Sequence, residues 1–218
     1  MKNIIFIAPP AAGKGTQSKL VSEEYNIPHI STGDLLREEI SKGSELGKSI
    51  KADIEKGNLV KDEVITTLLK NRIIMEDCQK GYILDGYPRN INQAKTYNKM
   101  LEELHYNKGK VIFFDIDKNI ALKRTVSRII CPNCGSSYNL LIEELKPKKE
   151  NTCDRCNHEL NTRKDDTEEV FKHRFDTYIN STKELIEYYE NLGILYKIEV
   201  LEKSAQEIFK EVKKVLND

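Results

Sequence analysis

The residues that follow the first apolar run of the chain could bind a nucleoside triphosphate. A phosphate-binding loop needs backbone N–H groups that turn toward phosphate oxygens, a lysine that reaches the β- and γ-phosphates, and a hydroxyl for Mg²⁺. Gly13, Lys14 and Thr16 supply these groups between a predicted strand and a predicted helix, whose N-terminus attracts anions. Ala8 replaces the first glycine of the pattern GxxxxGK(S/T), and Gly15 is an additional residue before the hydroxyl. We therefore expect a triphosphate site in this loop.

The cysteines indicate a metal site. Four of the five form two CxxC pairs, Cys131 with Cys134 and Cys153 with Cys156. Their separation lies in the range of zinc ribbons, and a closed site of four thiolates is structural, not catalytic. His158 is a spare donor beside the second pair, but we favour four thiolates as the ligands of a Zn²⁺ ion.

The charge composition argues against a polyelectrolyte partner. The chain has 35 Lys and Arg residues and 35 Asp and Glu residues, so its formal net charge is zero. The segment from 131 to 164 has six cations, five anions and one aromatic residue, Tyr138, and therefore lacks the basic stripe of a nucleic-acid-binding ribbon. Only eight of the cations are arginines, the residue that binds phosphate through paired hydrogen bonds.

Apolar runs alternate with helical periodicity along the chain. Four runs predict strands buried on both faces, at 4–8, 82–85, 111–115 and 195–200. Seven segments predict helices, at 14–25, 35–41, 62–75, 90–104, 117–128, 167–191 and 204–216. This alternation predicts an α/β P-loop fold of three layers, with a parallel sheet covered by helices on both faces.

Two stretches do not fit the alternation. Residues 32–60 contain two short helical patterns interrupted by glycines, and residues 131–163 are polar and hold both CxxC pairs. We interpret both as mobile insertions in one core domain, which comprises 1–31, 61–130 and 164–218.

The N-terminal apolar run is too short to span a bilayer, and no signal-type cleavage region follows it. We therefore expect a cytoplasmic protein without a membrane or nucleic-acid partner, and we expect it to be a monomer. The fifth cysteine, Cys78, has no neighbouring cysteine and is interpreted as a core residue.

Three motifs together resemble the adenylate kinase family of nucleoside monophosphate kinases, in its long form with a zinc-binding lid. The family loop usually reads GxPGxGKGT, from which this chain departs at Ala8 and Ala11. Residues 31–37, STGDLLR, resemble the opening of the family's monophosphate-binding helices, and residues 85–89, DGYPR, match its signature DG(F/Y)PR. A Cβ at Ala8 or Ala11 fits the loop only where φ is negative.

The resemblance implies reversible transfer of the terminal phosphoryl group of MgATP to AMP, giving two ADP. It assigns ATP binding to Ala11, Ala12, Gly13, Lys14, Gly15, Thr16, Arg124 and Arg128. It assigns AMP binding to Thr32, Arg37, Gly86, Arg89, Gln93, Arg163 and Arg174. The catalytic residues it implies are Lys14, Arg89, Arg128, Arg163 and Arg174. Thr16 and Asp85 would hold Mg²⁺ through its water shell, and 131–163 would be a lid stiffened by zinc.

Six of the eight arginines belong to this implied set. Arg124 and Arg128 are four residues apart, so we place them on one face of a predicted helix. A selective use of guanidinium around one cleft is typical of a site for densely charged phosphates.

Two alternatives remain open from the sequence. The chain could act on another nucleoside monophosphate such as UMP or CMP, although such kinases usually have a short lid. It could also be an inactive adaptor that uses its P-loop fold and zinc ribbon to bind a protein or a nucleic acid. Glu199-Val200 stands where the family often has Asp-Gly near the adenine, so the choice between ATP and GTP as donor stays open at this point.

Overall fold

The structure is a computed structural model that describes residues 2–55, 60–162, 166–200 and 203–217; the side chains of 53–55 are outside the description. In chain order the strands are β1 (Lys2–Ile7), β2 (His29–Ser31), β3 (Gly81–Asp85), β4 (Lys110–Asp115), β5 (Arg128–Ile130), β6 (Ser137–Asn139), β7 (Asn161–Thr162) and β8 (Leu195–Glu199). The helices are α1 (Lys14–Tyr25), α2 (Thr32–Ser41), α3 (Glu45–Glu55), α4 (Asp62–Ile73), α5 (Ile91–Glu103), α6 (Lys118–Val126), α7 (Glu168–Asn191) and α8 (Ala205–Asn217). Short 3-10 turns lie at Glu76–Cys78 and Glu143–Leu145.

The centre of the molecule is a five-stranded parallel sheet in the order β2-β3-β1-β4-β8. In its middle strand, Ile5 pairs with Leu84 of β3 and with Val111 of β4. All three side chains are buried because helices cover both faces, and this burial explains why the strands are continuous apolar runs in the sequence. The predicted parallel α/β fold is confirmed.

Alternate residues of β1 belong to two separate cores. Ile4 and Phe6 pack with residues of α1 and α8, whereas Ile5 and Ile7 pack with residues of α4, α5 and α7. Successive side chains of a strand point to opposite faces of a sheet. The helices therefore form one layer on each side of the sheet, which gives the expected three layers.

The apolar runs of the sequence do not predict the edge strand β2. It has three residues, of which only Ile30 is buried, and it pairs with β3 through His29 opposite Ile83 and Ser31 opposite Asp85. A strand of this length at a sheet edge needs no apolar run, so it leaves no signal in the sequence.

The two stretches interpreted as insertions have elements of their own. In the described part of 32–60, α2 and α3 approach closely, since a Cβ on Gly47 would lie 2.3 Å from the Glu39 carbonyl oxygen. The other stretch contributes β6 and β7, which pair antiparallel with either side of β5, the strand that ends just before the stretch begins. The domain boundaries at 32, 61, 131 and 164 stay predictions.

Within the described residues, no helix combines the length and the apolar composition that crossing a membrane requires. The Cys78 side chain is fully buried in the core between the sheet and α4, as expected.

Candidate nucleotide site and metal site

The phosphate loop connects β1 to α1 at the carboxyl edge of the sheet. Gly13 precedes the helix in a left-handed conformation with φ of 84°, as a turn into a helix at this point requires. The φ of Ala8 is not positive, so its Cβ fits the loop. Ala11, however, has a φ of 62°. It therefore does not have the negative φ that the sequence analysis required for an alanine in place of glycine. A non-glycine residue in this region costs about 1–2 kcal/mol.

Asp85 lies at the end of β3, beside the loop. Lys14 Nζ is 2.7 Å from Asp85 Oδ1, and His29 Nε2 is 3.2 Å from Asp85 Oδ2. Burial alone raises the pKa of Asp85, but the hydrogen bond of His29 and the charge of Lys14 outweigh it and lower this pKa to about 2. Asp85 is therefore ionised at neutral pH, which is the form of a carboxylate that hard cations such as Mg²⁺ bind.

The sequence analysis did not identify His29. Its side chain reaches Asp85 because β2 pairs with β3 in the register that sets His29 opposite Ile83, two residues before Asp85 on the same face of the sheet. This neighbour could have been found only by recognising β2.

A second polar cluster follows β3 directly. The Gly86 carbonyl accepts hydrogen bonds from Thr32 Oγ1 at 3.1 Å and from Arg89 Nε at 2.8 Å. Gly86 has φ of 82°, and a Cβ there would lie 2.9 Å from Thr32 Oγ1. Only glycine therefore allows Thr32 to approach residue 86 this closely. Thr32, Gly86 and Arg89, three residues that the resemblance assigns to AMP binding, thus lie together here.

Gln93 is also in this cluster, with both ends of its amide already bonded. Its Oε1 accepts a hydrogen bond from the Arg89 amide at 2.7 Å, and its Nε2 donates to Asp62 Oδ1 at 2.7 Å. The side chain is buried. The amide has a second N–H and a second oxygen lone pair, so an adenine edge could bond to it without replacing these partners. Asp62 is a neighbour that the sequence analysis did not identify.

The remaining arginines lie on several elements. Arg37 is exposed on α2 and forms an ion pair with Asp34 one helical turn earlier. Arg174 is exposed on α7. Arg124 is partly buried on α6, and this burial lowers the pKa of its guanidinium. Arg163 lies outside the described residues.

Arg128 is held by a carboxylate. Its Nε donates to Asp166 Oδ2 at 2.8 Å and its Nη2 donates to Oδ1, while the Asp166 side chain is only 2% exposed. The prediction that Arg124 and Arg128 share a helical face is wrong, because α6 ends at Val126 and Arg128 begins β5. The helical pattern of the sequence did not reveal this break, which follows from the pairing of β5 with β6 and β7.

The four paired cysteines converge. Their sulfur atoms all lie within 4.8 Å of one another in the small core beside β5. Burial alone raises the pKa of Cys153, but hydrogen bonds from the Tyr138 hydroxyl and from backbone amides outweigh it and lower this pKa. Soft sulfur ligands at this spacing fit a tetrahedral Zn²⁺ ion. His158 is not in the cluster, and its Nδ1 lies 3.0 Å from the Cys156 carbonyl oxygen.

A parallel α/β sheet, a phosphate loop after its central strand and a polar cluster after the neighbouring strand define a P-loop enzyme that acts on phosphates. Comparison with known proteins narrows this class. A family model described as adenylate kinase matches residues 6–194.

Curated relatives match over almost the full chain. An adenylate kinase of Archaeoglobus fulgidus is 45% identical over 214 residues, which cover 98% of this chain and 97% of that protein. An adenylate kinase of Fervidobacterium nodosum is 43% identical over 208 residues, covering 95% and 94%. One of Caldanaerobacter subterraneus subsp. tengcongensis is 43% identical over 213 residues, covering 98% and 95%. The chain belongs to the adenylate kinase family and is a phosphotransferase.

Proposed function

We propose that the two polar clusters at the carboxyl edge of the sheet bind the donor and the acceptor of one phosphoryl transfer. The reaction is the reversible transfer of the terminal phosphoryl group of MgATP to AMP, giving two ADP. The observation that carries this assignment is the adjacency of Lys14 and Asp85, after β1 and at the end of β3, to the cluster of Thr32, Gly86 and Arg89.

The donor cluster is the phosphate loop. The amides of 11–16 and the Lys14 ammonium bind the triphosphate, and Arg124 stacks on the base. The Thr16 hydroxyl and the Asp85 carboxylate would hold Mg²⁺ through its water shell, and the ion would supply charge neutralisation at the phosphate oxygens. Because Lys14 contacts Asp85 before ligand binds, the incoming phosphates take over part of the Lys14 charge.

The acceptor cluster follows β3. Arg37 and Arg89 bind the AMP phosphate, since both guanidinium groups are exposed while their positions are fixed by Asp34 and by the Gly86 carbonyl. Thr32 and Gln93 contact the base. The buried environment of Gln93 supports a specific reading of the base, because an amide held in one orientation presents a fixed donor and acceptor.

Transfer itself needs charge stabilisation more than covalent chemistry, because negative charge is spread over the oxygens of the moving group. Arg128, Arg163 and Arg174 supply this charge in the proposal. Closure of 131–163 and of 32–60 over the nucleotides excludes water, so that ATP is not hydrolysed.

Cys131, Cys134, Cys153 and Cys156 would hold a structural Zn²⁺ ion in the cysteine module. Bound through these four residues, the lid would be stiff enough to move as one body over the donor nucleotide. Support comes from the convergence of the four sulfur atoms and from the absence of His158 from their cluster.

Measurement of ADP formation tests this function. The wild-type enzyme is assayed with ATP or GTP as donor and with AMP, UMP, CMP or GMP as acceptor in turn. We expect turnover with ATP and AMP, and a loss of about 10³-fold or more in Lys14→Met. Lys19→Met, an exposed lysine on the same helix, is the matched control and should keep wild-type turnover. Preference for another monophosphate, or no turnover with any pair, would contradict the proposal and favour one of the two alternatives.

The predictions of a cytoplasmic location, a monomer and no nucleic-acid or membrane partner stay part of this proposal. The balanced charge of the chain supports only one of these, the prediction of no nucleic-acid partner. Sedimentation of the purified protein, with and without nucleic acid, tests the monomer and the nucleic-acid prediction together.

A further inference from the structure

The cysteine module contains two matching turns. In the first, the Cys131 amide donates to the Ser136 carbonyl at 2.8 Å, and the Gly135 amide donates to the Cys131 carbonyl at 3.0 Å. The second repeats this pattern with Cys153 in place of Cys131 and Asn157 in place of Gly135, with 2.9 Å for both bonds. Gly135 and Asn157 both have a positive φ, of 70° and 59°. The backbone therefore forms two equivalent halves of a metal site.

One side chain connects these two halves. Tyr138 lies on β6, just after the first turn, and its hydroxyl oxygen is 2.8 Å from the Asp154 amide nitrogen of the second turn. The same oxygen is 3.4 Å from Cys153 Sγ. The Tyr138 ring packs in the small core together with Cys153 and Ile129.

The direction of the two hydrogen bonds follows from their chemistry. The Asp154 amide can only donate, so the Tyr138 oxygen accepts that bond. The phenol then has its own proton to donate, and Cys153 Sγ is the acceptor within reach. A zinc-bound cysteine is a thiolate, which is a stronger acceptor than a thiol.

We propose that Tyr138 is a positioning residue of the metal site, which donates a hydrogen bond to the Cys153 thiolate and fixes the second turn against the first. Four thiolates and one Zn²⁺ ion have two excess negative charges, and an O–H donor aimed at one sulfur stabilises that charge. Removing such an outer hydrogen bond typically weakens metal binding by about 10–100-fold. This inference rests on the proposed zinc site.

The experiment compares zinc release from the full-length wild-type protein and from Tyr138→Phe. Phenylalanine keeps the ring in the small core and removes only the hydroxyl. We expect a chromogenic zinc chelator to remove the ion about 10–100 times faster from the variant. Tyr106→Phe, a partly buried tyrosine of the main core, is the matched control and should release zinc at the wild-type rate.

Loading the same proteins with Co²⁺ gives a second measurement, since thiolate-to-cobalt charge-transfer absorption reports directly on the sulfur ligands. We expect this band to shift in Tyr138→Phe and not in Tyr106→Phe. If the release rate and the band of Tyr138→Phe both equal those of the wild type, the role of Tyr138 is wrong while the zinc site stands. If the wild-type protein binds no zinc, both proposals are wrong.

A measurement on the wild type keeps the inference testable if Tyr138→Phe does not fold. In protein loaded with cadmium-113, NMR should show coupling between the Tyr138 hydroxyl proton and the metal through Cys153 Sγ. An observable hydroxyl proton without this coupling would overturn the inference.

Discussion

Charged groups are held differently in the nucleotide cleft and in the cysteine module. In the cleft, the lysine of the phosphate loop contacts a carboxylate of the protein itself, Lys14 with Asp85. Arg128, which the proposal assigns to the same cleft, likewise pairs with Asp166. In the module, four sulfur atoms face one another within 4.8 Å. The first arrangement holds long side chains ready until phosphates compete for them. The second becomes repulsive as the thiols ionise, so it requires a cation at its centre.

This difference predicts which property each region controls. In the proposal, residues of the cleft exchange protein partners for substrate, so their replacement should reduce turnover more than stability. In the proposal, residues of the module bind a permanent ion, so loss of that ion should reduce stability more than turnover. Four predictions test this division.

The largest effect is expected at Arg128. Arg128→Ala should reduce kcat by on the order of 10³-fold, as loss of a transition-state arginine does. It should also lower the melting temperature, because the buried Asp166 carboxylate loses its partner. Steady-state kinetics and thermal melting measure the two effects.

The double variant Arg128→Ala/Asp166→Asn separates these two effects. Removing the unpaired charge should restore much of the melting temperature while turnover stays low. Recovery of turnover together with stability would show that Arg128 acts through the fold alone and not on the phosphoryl group.

The second-largest effect is expected from removal of the metal, which should reduce stability. After treatment with a strong chelator, calorimetry should show the module unfolding separately at lower temperature, because metal binding supplies the folding free energy of such small sites. Part of the ADP-forming activity should survive, since the core sheet does not depend on the ion. Cys153→Ser should behave like the chelated protein, and unchanged melting after metal removal would refute the structural role.

A smaller effect concerns the pH dependence of stability through Asp85. Its pKa in the folded protein is about 2, below the ordinary value of 3.8. The contacts of the ionised Asp85 carboxylate with Lys14 and His29 therefore stabilise the fold fully above about pH 4. This stabilisation is lost as the pH falls through about 2. The shift corresponds to about 2 kcal/mol.

Urea unfolding of the wild type and of Asp85→Asn at several pH values measures this contribution. The difference in unfolding free energy between the two proteins should shrink by about 2 kcal/mol from pH 6 to pH 2. Comparison of the two proteins cancels the acid sensitivity of the cysteine module, which they share. A difference independent of pH would show that Asp85 is not held in its ionised form.

The smallest effect is expected at Ala11. Ala11→Gly should raise the free energy of unfolding by about 0.5–1 kcal/mol, because relief of the left-handed conformation exceeds the entropy cost of glycine. It should also tighten triphosphate binding, since the loop amides turn more freely toward phosphate. Ala12→Gly, at a buried neighbour whose φ is not positive, is the control and should destabilise the protein. Equal effects of both substitutions would contradict a strained Ala11.

The sequence predicted the strands and helices whose side chains are buried in a repeating pattern along the chain. The run Ile4–Ala8 is apolar at every position because both faces of β1 are covered, and α1 begins at Lys14 as expected. The cysteine spacing predicted a cluster because each CxxC pair closes a local turn of fixed geometry. The same reasoning failed at Arg128, where a helix ends and a strand of the small sheet begins within two residues.

By itself the sequence determined the phosphate loop, the parallel sheet and the four sulfur ligands, since these depend on neighbours close along the chain or on simple apolar periodicity. Only the tertiary structure decided which carboxylates contact Lys14, Gln93 and Arg128. Asp85 reaches Lys14 from the end of β3, Asp62 reaches Gln93 from the start of α4, and Asp166 reaches Arg128 from beyond the cysteine module. Such pairs join residues far apart in the chain, and no local pattern of charge distinguishes them from exposed carboxylates until the sheet and helices bring them together.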